Sequence, residues 1–191
     1  MTRKVTYGAA CSLDGFIVGP DGAMDWLHWS DDVTALMNDT WSKTDAVLMG
    51  RKTWEVAAAS APQGARGMPG VSGYVFSRTM ERLPAGQDGM LVRSDAGEFV
   101  RELKQKPGKE ICVLGGGDLA ASLFHAGVLD EVGLNIHPVL LGSGVPFFRD
   151  AGRIGLELIE SRSIAGGCVY ALYRVRRDKP LAQKRSREKH R

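Results

Sequence analysis

The sequence repeatedly places a short apolar run before a glycine and a helical pattern. Val47-Leu48-Met49-Gly50 precedes a helix expected from Arg51. Val113-Leu114-Gly115-Gly116-Gly117 precedes another, expected over about residues 118–125. Strands that alternate with helices form mostly parallel sheets, because a crossover helix connects consecutive strands. The pattern therefore predicts an α/β fold with helices on both faces of the sheet.

The remaining patterns extend this alternation and end it with a hairpin. Ser30 is placed to cap a helix with apolar residues at helical spacing, and residues 98–106 form a second helical pattern. The last two apolar runs flank a turn at 164–167 and predict an antiparallel edge hairpin. Strands are expected over 5–11, 46–49, 74–76, 89–92, 111–114, 132–141, 156–162 and 169–176.

The length and charge distribution predict one domain and a basic tail. A chain of 191 residues suits a single domain, here 1–176. Residues 177–191 carry seven Lys or Arg against two acidic residues, so the overall net charge of +3 comes from this end. We expect a solvated, disordered tail; a nucleic-acid-binding arm is the alternative.

Other classes of protein are disfavoured. No apolar run approaches the ~18 residues that span a membrane, and no secretory leader precedes the first strand, so we expect a cytoplasmic protein. The three cysteines, Cys11, Cys112 and Cys168, form no CxxC pair and are expected as small apolar residues. We expect no metal.

The first glycine turn has the features of a phosphate site. The free N–H groups and positive dipole end of a helix starting at Arg51 can receive a phosphate. Arg51, Lys52 and the Thr53 hydroxyl add donors beside Gly50. A capped helix with solvated basic residues is the alternative.

The second turn, Gly115-Gly116-Gly117, lets a backbone approach a pyrophosphate without an intervening Cβ. Asp118 and Leu119 follow it at the helix start. The turn does not match G-x-G-x-x-G, and no acidic residue ends a neighbouring strand to hold a ribose, so a Rossmann NAD site is disfavoured. Ser77 and Arg78, after a third strand, could bind a 2′-phosphate; an exposed turn is the alternative.

Together these motifs resemble dihydrofolate reductases. Gly50-Arg51-Lys52-Thr53-Trp54-Glu55 is similar to their G-R-x-T-W-E motif, and Leu114-Gly115-Gly116-Gly117 to their second phosphate turn. Phe76-Ser77-Arg78-Thr79 falls where that fold recognises the adenosine 2′-phosphate. Gly22-Ala23-Met24-Asp25-Trp26 resembles the mobile active-site loop. The resemblance spans about 4–176 and implies NADPH as the cofactor, with Ala10 also in contact with it.

Three further stretches resemble the C-terminal reductase domain of the bifunctional riboflavin-pathway deaminase–reductase, and its standalone bacterial homologues. They are Ser12-Leu13-Asp14-Gly15-Phe16-Ile17, Phe124-His125-Ala126-Gly127-Val128-Leu129-Asp130-Glu131, and His137-Pro138-Val139-Leu140-Leu141-Gly142-Ser143-Gly144-Val145-Pro146-Phe147-Phe148. The H-x-E and P-C-x-x-C of a deaminase are absent.

Two positions argue against folate as the substrate. Val71 aligns with the arginine that grips the folate glutamate in dihydrofolate reductases, and a valine cannot pair with a carboxylate. Ala120 aligns with a tyrosine that those enzymes often place beside the nicotinamide. The cofactor motifs are therefore kept, whereas the folate contacts are not.

A reductase of this kind needs a proton donor, and a carboxylic acid is the usual one. The resemblance places the acid at Asp31, with Asp32 beside it; both also suit a helix N-terminus without any function. Asp14 is a second candidate, with an ordinary Asp-Gly turn as its alternative. Trp26 and Asn135 are expected to face the substrate; for Asn135, a structural hydrogen bond within the fold is the alternative.

The sequence therefore predicts an NADPH-dependent reductase that transfers a hydride to a small heterocyclic or carbonyl substrate. A catalytically silent NADP(H)-binding regulatory protein is the alternative. A homodimer is expected, because related reductase domains associate and the apolar segments Val139-Leu140-Leu141 and Val145-Pro146-Phe147-Phe148 could bury against a partner.

Overall fold

The computed structural model describes residues 2–60, 68–84 and 88–177 of the chain. The helices are α1 (Asp31–Lys43), α2 (Arg51–Ser60), α3 (Ala96–Gln105) and α4 (Gly117–His125). The strands are β1 (Val5–Ser12), β2 (Phe16–Val18), β3 (Thr44–Gly50), β4 (Ser72–Phe76), β5 (Met90–Val92), β6 (Glu110–Val113), β7 (Glu131–His137), β8 (Val145–Pro146), β9 (Leu156–Ile164) and β10 (Cys168–Val175).

Within these residues, eight strands form one sheet in the order β5-β4-β3-β6-β1-β7-β10-β9. All pairs from β5 to β7 are parallel, whereas β10 pairs antiparallel with both β7 and β9. The predicted mostly parallel sheet with an antiparallel edge hairpin is confirmed. The hairpin turn contains a short 3₁₀ segment, Ala165–Gly167.

Helices cover both faces of the central strands. Leu48 on β3 and Val113 on β6 pack into one core cluster with residues of α3 and α4. The residues that precede them, Val47 and Cys112, point to the opposite face, and they too are only 3% and 5% exposed. Strands buried on both faces are continuous apolar runs, which explains why these segments were recognisable from sequence.

The segment predicted as one strand over 132–141 divides at a proline. β7 ends at His137, and the N–H of Val139 donates a hydrogen bond to the His137 carbonyl (2.8 Å). Pro138 has no N–H to donate, so the ladder stops before it. The following chain forms β8, which pairs with β2 in a two-stranded ribbon that the sequence patterns did not indicate.

The structure bears in part on two further expectations, the absence of a membrane-spanning helix and the nature of the basic tail. No helix of the described residues is long and apolar enough to cross a membrane. The basic segment 178–191 lies outside the described residues, so both its disorder and a nucleic-acid role stay predictions.

Candidate cofactor and substrate site

Three strands end side by side at one edge of the sheet. In the parallel ladders, Gly50 at the end of β3 lies opposite Phe76 at the end of β4. On its other side β3 places Leu48 opposite Val113, the last residue of β6. The glycine turn after β3, the Ser77-Arg78 turn after β4 and the glycines after β6 therefore share one edge, where ligands bind in open α/β sheets.

The two glycine turns are in contact across this edge. A methyl group built on Gly116 would lie 3.6 Å from both Cα and N of Gly50, and 3.6 Å from the Oγ1 of Thr53. Gly115 and Gly116 have φ of +97° and +90°, a conformation that residues with a Cβ rarely adopt. Backbone without side chains and the Thr53 hydroxyl therefore line the boundary between the two turns, which we call the candidate cleft.

The start of α4 faces the same cleft. Gly116 is the N-cap of the helix and provides no side-chain hydrogen bond. Its carbonyl accepts the N–H of Ala120 (3.0 Å). The N–H groups of Gly117, Asp118 and Leu119 have no partner among the described residues. Unpaired N–H groups at a helix start bind anions readily.

The basic side chains of the site differ in whether they already have a partner on the protein. Arg51 forms an ion pair with Glu55 on its own helix (2.7 Å), whereas Lys52 is exposed. Ser77 accepts the N–H groups of Thr79 (3.3 Å) and Met80 (3.0 Å), which fixes the turn after β4.

Arg78 extends from that fixed turn. Its side chain is exposed and has no hydrogen bond or ion pair with the described residues. A guanidinium with unused donors on a rigid turn is suited to grip a phosphate.

The structure also places a cation here that sequence reasoning missed. A methyl on Gly117 would lie 3.3 Å from the Cβ of Arg149, in the loop after β8. The Arg149 guanidinium lies 3.5 Å from the carboxylate of Asp118. No local pattern marks Arg149, because more than 30 residues separate it from the helix start that it borders.

The cleft continues where β1 separates from β6. These strands pair only as far as Tyr7 and Val113, whereas β1 continues to Ser12 beside β7. Ala10 lies in this continuation, directly opposite Asn135 on β7. The predicted cofactor residue Ala10 and the predicted substrate residue Asn135 are therefore neighbours on one face.

Two buried polar atoms in this region lack partners. Asn135 is 8% exposed, and its Oδ1 has no hydrogen-bond partner among the described residues. The same is true of the buried Nε1 of Trp26, whose ring meets the His137 ring edge-on with centroids 5.3 Å apart. Buried polar groups are normally paired, so such atoms are expected where a ligand completes the site.

Asp14 has contacts that favour the turn interpretation. Its carboxylate accepts the Ser12 hydroxyl (2.6 Å) and the N–H groups of Gly142 (2.8 Å) and Leu141 (3.2 Å). These donors, Ser12 first, hold the pKa of Asp14 below its ordinary value. A carboxyl with a lowered pKa is a poor acid near neutral pH, so Asp14 ties two loops together and its catalytic role remains only a prediction.

Asp31 and Asp32 begin α1 behind the Ser30 cap, as predicted. Asp32 accepts the N–H of Ala165 in the hairpin turn (2.8 Å) and so connects α1 to the sheet edge. Asp31 is exposed and its carboxylate has no polar partner among the described residues. Of the two carboxylates, only that of Asp32 is held by another element among the described residues.

An eight-stranded, mostly parallel sheet with an antiparallel edge hairpin, and with glycine turns at its carboxyl edge, defines the class of dihydrofolate-reductase-like proteins. Within that class the chain belongs to the RibD C-terminal domain family, whose model matches residues 3–170. It is 32% identical over 181 residues to "Uncharacterized protein YyaP" of Bacillus subtilis (strain 168), covering 90% of this chain and 94% of YyaP.

Solved structures agree with this placement. A Shewanella sp. PV-4 protein named for riboflavin biosynthesis superposes with a TM-score of 0.75 at 25% identity, covering 93% of this chain and all of that one. A dihydrofolate reductase from Enterococcus faecalis, solved with NADP(H), superposes with a TM-score of 0.66. The latter is 14% identical, with 92% of this chain and 99% of the enzyme covered, and it shares the fold alone.

Proposed function

We propose that this chain is an NADPH-dependent oxidoreductase that transfers a hydride to a small heterocyclic or carbonyl substrate. The observation that carries the proposal is the contact between the turns at Gly50 and Gly116, beside the turn that bears Arg78. Three sequence motifs that could have been far apart are adjacent, which supports the proposal that they bind one cofactor.

The residues present fit a dinucleotide phosphate. The α4 N–H groups and the backbone at Gly115 and Gly116 would hold the pyrophosphate, because neither glycine has a Cβ that would keep a phosphate away from the backbone. Thr53 and Lys52 add donors at the start of α2. Arg78 would hold the 2′-phosphate through its bidentate fork.

NADPH, when bound, supplies the hydride, and the protein is left to bind, align and exclude water. Ala10 on β1 and Asn135 on β7 lie side by side where β1 separates from β6, and a substrate would lie there beside the cofactor. Trp26 closes the buried side of that region. Asp31 is the carboxylate that we propose as the proton donor.

The proposal is tested by isothermal titration with NADPH and NADH. We expect NADPH to bind at least about tenfold more tightly than NADH, because only NADPH carries the phosphate that Arg78 would grip. Arg78→Ala should reduce that preference about tenfold or more, which corresponds to losing one charge-assisted hydrogen-bonded contact.

Arg174→Ala is the matched control. Arg174 pairs with Glu157 and lies opposite Glu131 at the start of β7, on the other edge of the sheet. Absence of NADPH binding by the unaltered chain would exclude the function. Binding without oxidation across pterins, pyrimidines, quinones and aldehydes would leave the regulatory NADP(H)-binding alternative.

A further inference from the structure

Asn135 and His137 form a buried pair on one face of β7. They are 8% and 2% exposed, and the Nδ2 of Asn135 lies 3.2 Å from the Nε2 of His137. An imidazole nitrogen and an amide end can each be donor or acceptor, so the surroundings of the pair decide its polarity.

The other ring nitrogen of His137 is surrounded by donors. The backbone N–H of His28 points at Nδ1 from 3.3 Å, and a backbone N–H can only donate. The Sγ of Cys168 lies 3.4 Å from the same nitrogen. Burial raises the pKa of Cys168, so this group stays a thiol that can donate its S–H. Nδ1 therefore carries a lone pair and no proton.

The imidazole then has its one proton on Nε2. Burial, and then the neighbouring His28 imidazole, lower the pKa of His137, so the ring is neutral near pH 7. The Nε2–H points at the amide of Asn135, and only the amide oxygen can accept it. Because the two ends of an amide have the same shape, the oxygen belongs at the position facing His137, and the NH₂ belongs at the position that has no partner.

We propose that His137 is a positioning residue that fixes Asn135 with its NH₂ toward the cleft, so that the site selects a substrate presenting a carbonyl oxygen. The proposal rests on the proposed function only in that the substrate occupies this cleft. The unpartnered Nε1–H of Trp26, whose ring packs on His137, is a second donor of the same kind. If a substrate ring presented an amino group here, its N–H donors would face the NH₂ donors of Asn135 and neither group would have an acceptor. Such a site discriminates strongly against that substrate.

The first test is NMR of the full chain with ¹⁵N-labelled histidine and asparagine, without cofactor. The His137 signals are assigned by their loss in His137→Gln. We expect the Nε2–H tautomer near pH 7. An Nδ1–H tautomer, or an imidazolium, would overturn the proposal whether or not the chain binds NADPH.

The second test follows the Asn135 side-chain NH₂ with two probes in the presence of NADPH. N-methyl-2-pyridone offers a ring carbonyl and no donor, whereas aniline offers a ring amine and no carbonyl. We expect the pyridone to shift the NH₂ signals of Asn135 and to bind about tenfold more tightly than aniline. Asn38, on the exposed surface of α1, is the chain's other asparagine and should not respond.

A pair of variants separates positioning from simple packing. The side-chain amide of His137→Gln can still donate to the Asn135 oxygen, so the preference for the pyridone should persist. His137→Leu fills the space without a donor and should reduce the preference severalfold. Equal binding of both probes, a response to aniline alone, or no response to either probe would overturn the selectivity for a carbonyl.

Discussion

Gly116 shows how one residue serves both the backbone and the proposed cofactor cleft. Its φ of +90° is in the region that favours glycine, and its Cα faces Gly50 across the cleft. The sequence suggested glycine for close approach to a pyrophosphate. The structure adds that the close approach is also between two parts of the chain, so that a methyl group on Gly116 would lie between the two turns, 3.6 Å from Gly50 and from the Thr53 hydroxyl.

We therefore predict that Gly116→Ala weakens NADPH binding. Gly127→Ala is the matched control, because Gly127 also has a positive φ (+66°) but a methyl group added to it would meet nothing within 4 Å. Both variants should lose roughly 1 kcal/mol of stability through backbone strain. Only Gly116→Ala should raise the Kd for NADPH, by about tenfold or more. Urea unfolding and titration calorimetry measure the two effects, and equal NADPH affinities for both variants would contradict the cleft.

At the scale of elements, the start of α1 is where the structure separates two adjacent carboxylates. Asp32 connects α1 to the hairpin turn at Ala165, whereas Asp31 has no such contact. Both complement the helix dipole to a similar extent. The sequence could not rank the two, because the hairpin that occupies Asp32 lies more than 130 residues away.

Asp31→Ala and Asp32→Ala should therefore differ in what they change. Both lose the favourable dipole contact, but Asp32→Ala should lose about 1 kcal/mol more stability, because it leaves the Ala165 N–H without its acceptor. Asp31→Ala should slow NADPH oxidation about 100-fold with the NADPH Kd unchanged. Stopped-flow absorbance and urea unfolding distinguish them. Full turnover in Asp31→Ala would remove it as the proton donor.

At the scale of the whole molecule, apolar residues stay exposed on two separate surfaces. One includes Leu140 (70% exposed), whose neighbour Val139 accepts the N–H of the exposed Leu13. The other is the edge strand β9, with Leu158 at 53%. Exposed apolar groups of this kind are typical of interfaces between subunits.

We predict a homodimer that uses the Leu140 surface. Light scattering should give a mass about twice the 20.7 kDa of one chain. Leu140→Glu should shift the molecule toward the monomer, because a charge would be buried in the interface. Leu158→Glu tests the rival surface: dissociation by Leu158→Glu alone would move the interface to β9, and a monomeric wild-type chain would exclude the dimer.

The sequence by itself determined the alternation of strand, glycine and helix, the parallel sheet and the positions of the glycine turns after β3 and β6. These features depend on neighbours within a few residues, such as the apolar run and the glycines from Val113 to Gly117, so local physics specifies them. Tertiary structure alone decided that Arg149 borders α4, that Asp14 holds the loop at Gly142, and that His137 faces both Asn135 and Cys168. Most of these contacts join segments more than thirty residues apart. The orientation that we propose for the Asn135 amide depends on His28 and Cys168, which only the folded chain brings to the same His137 imidazole.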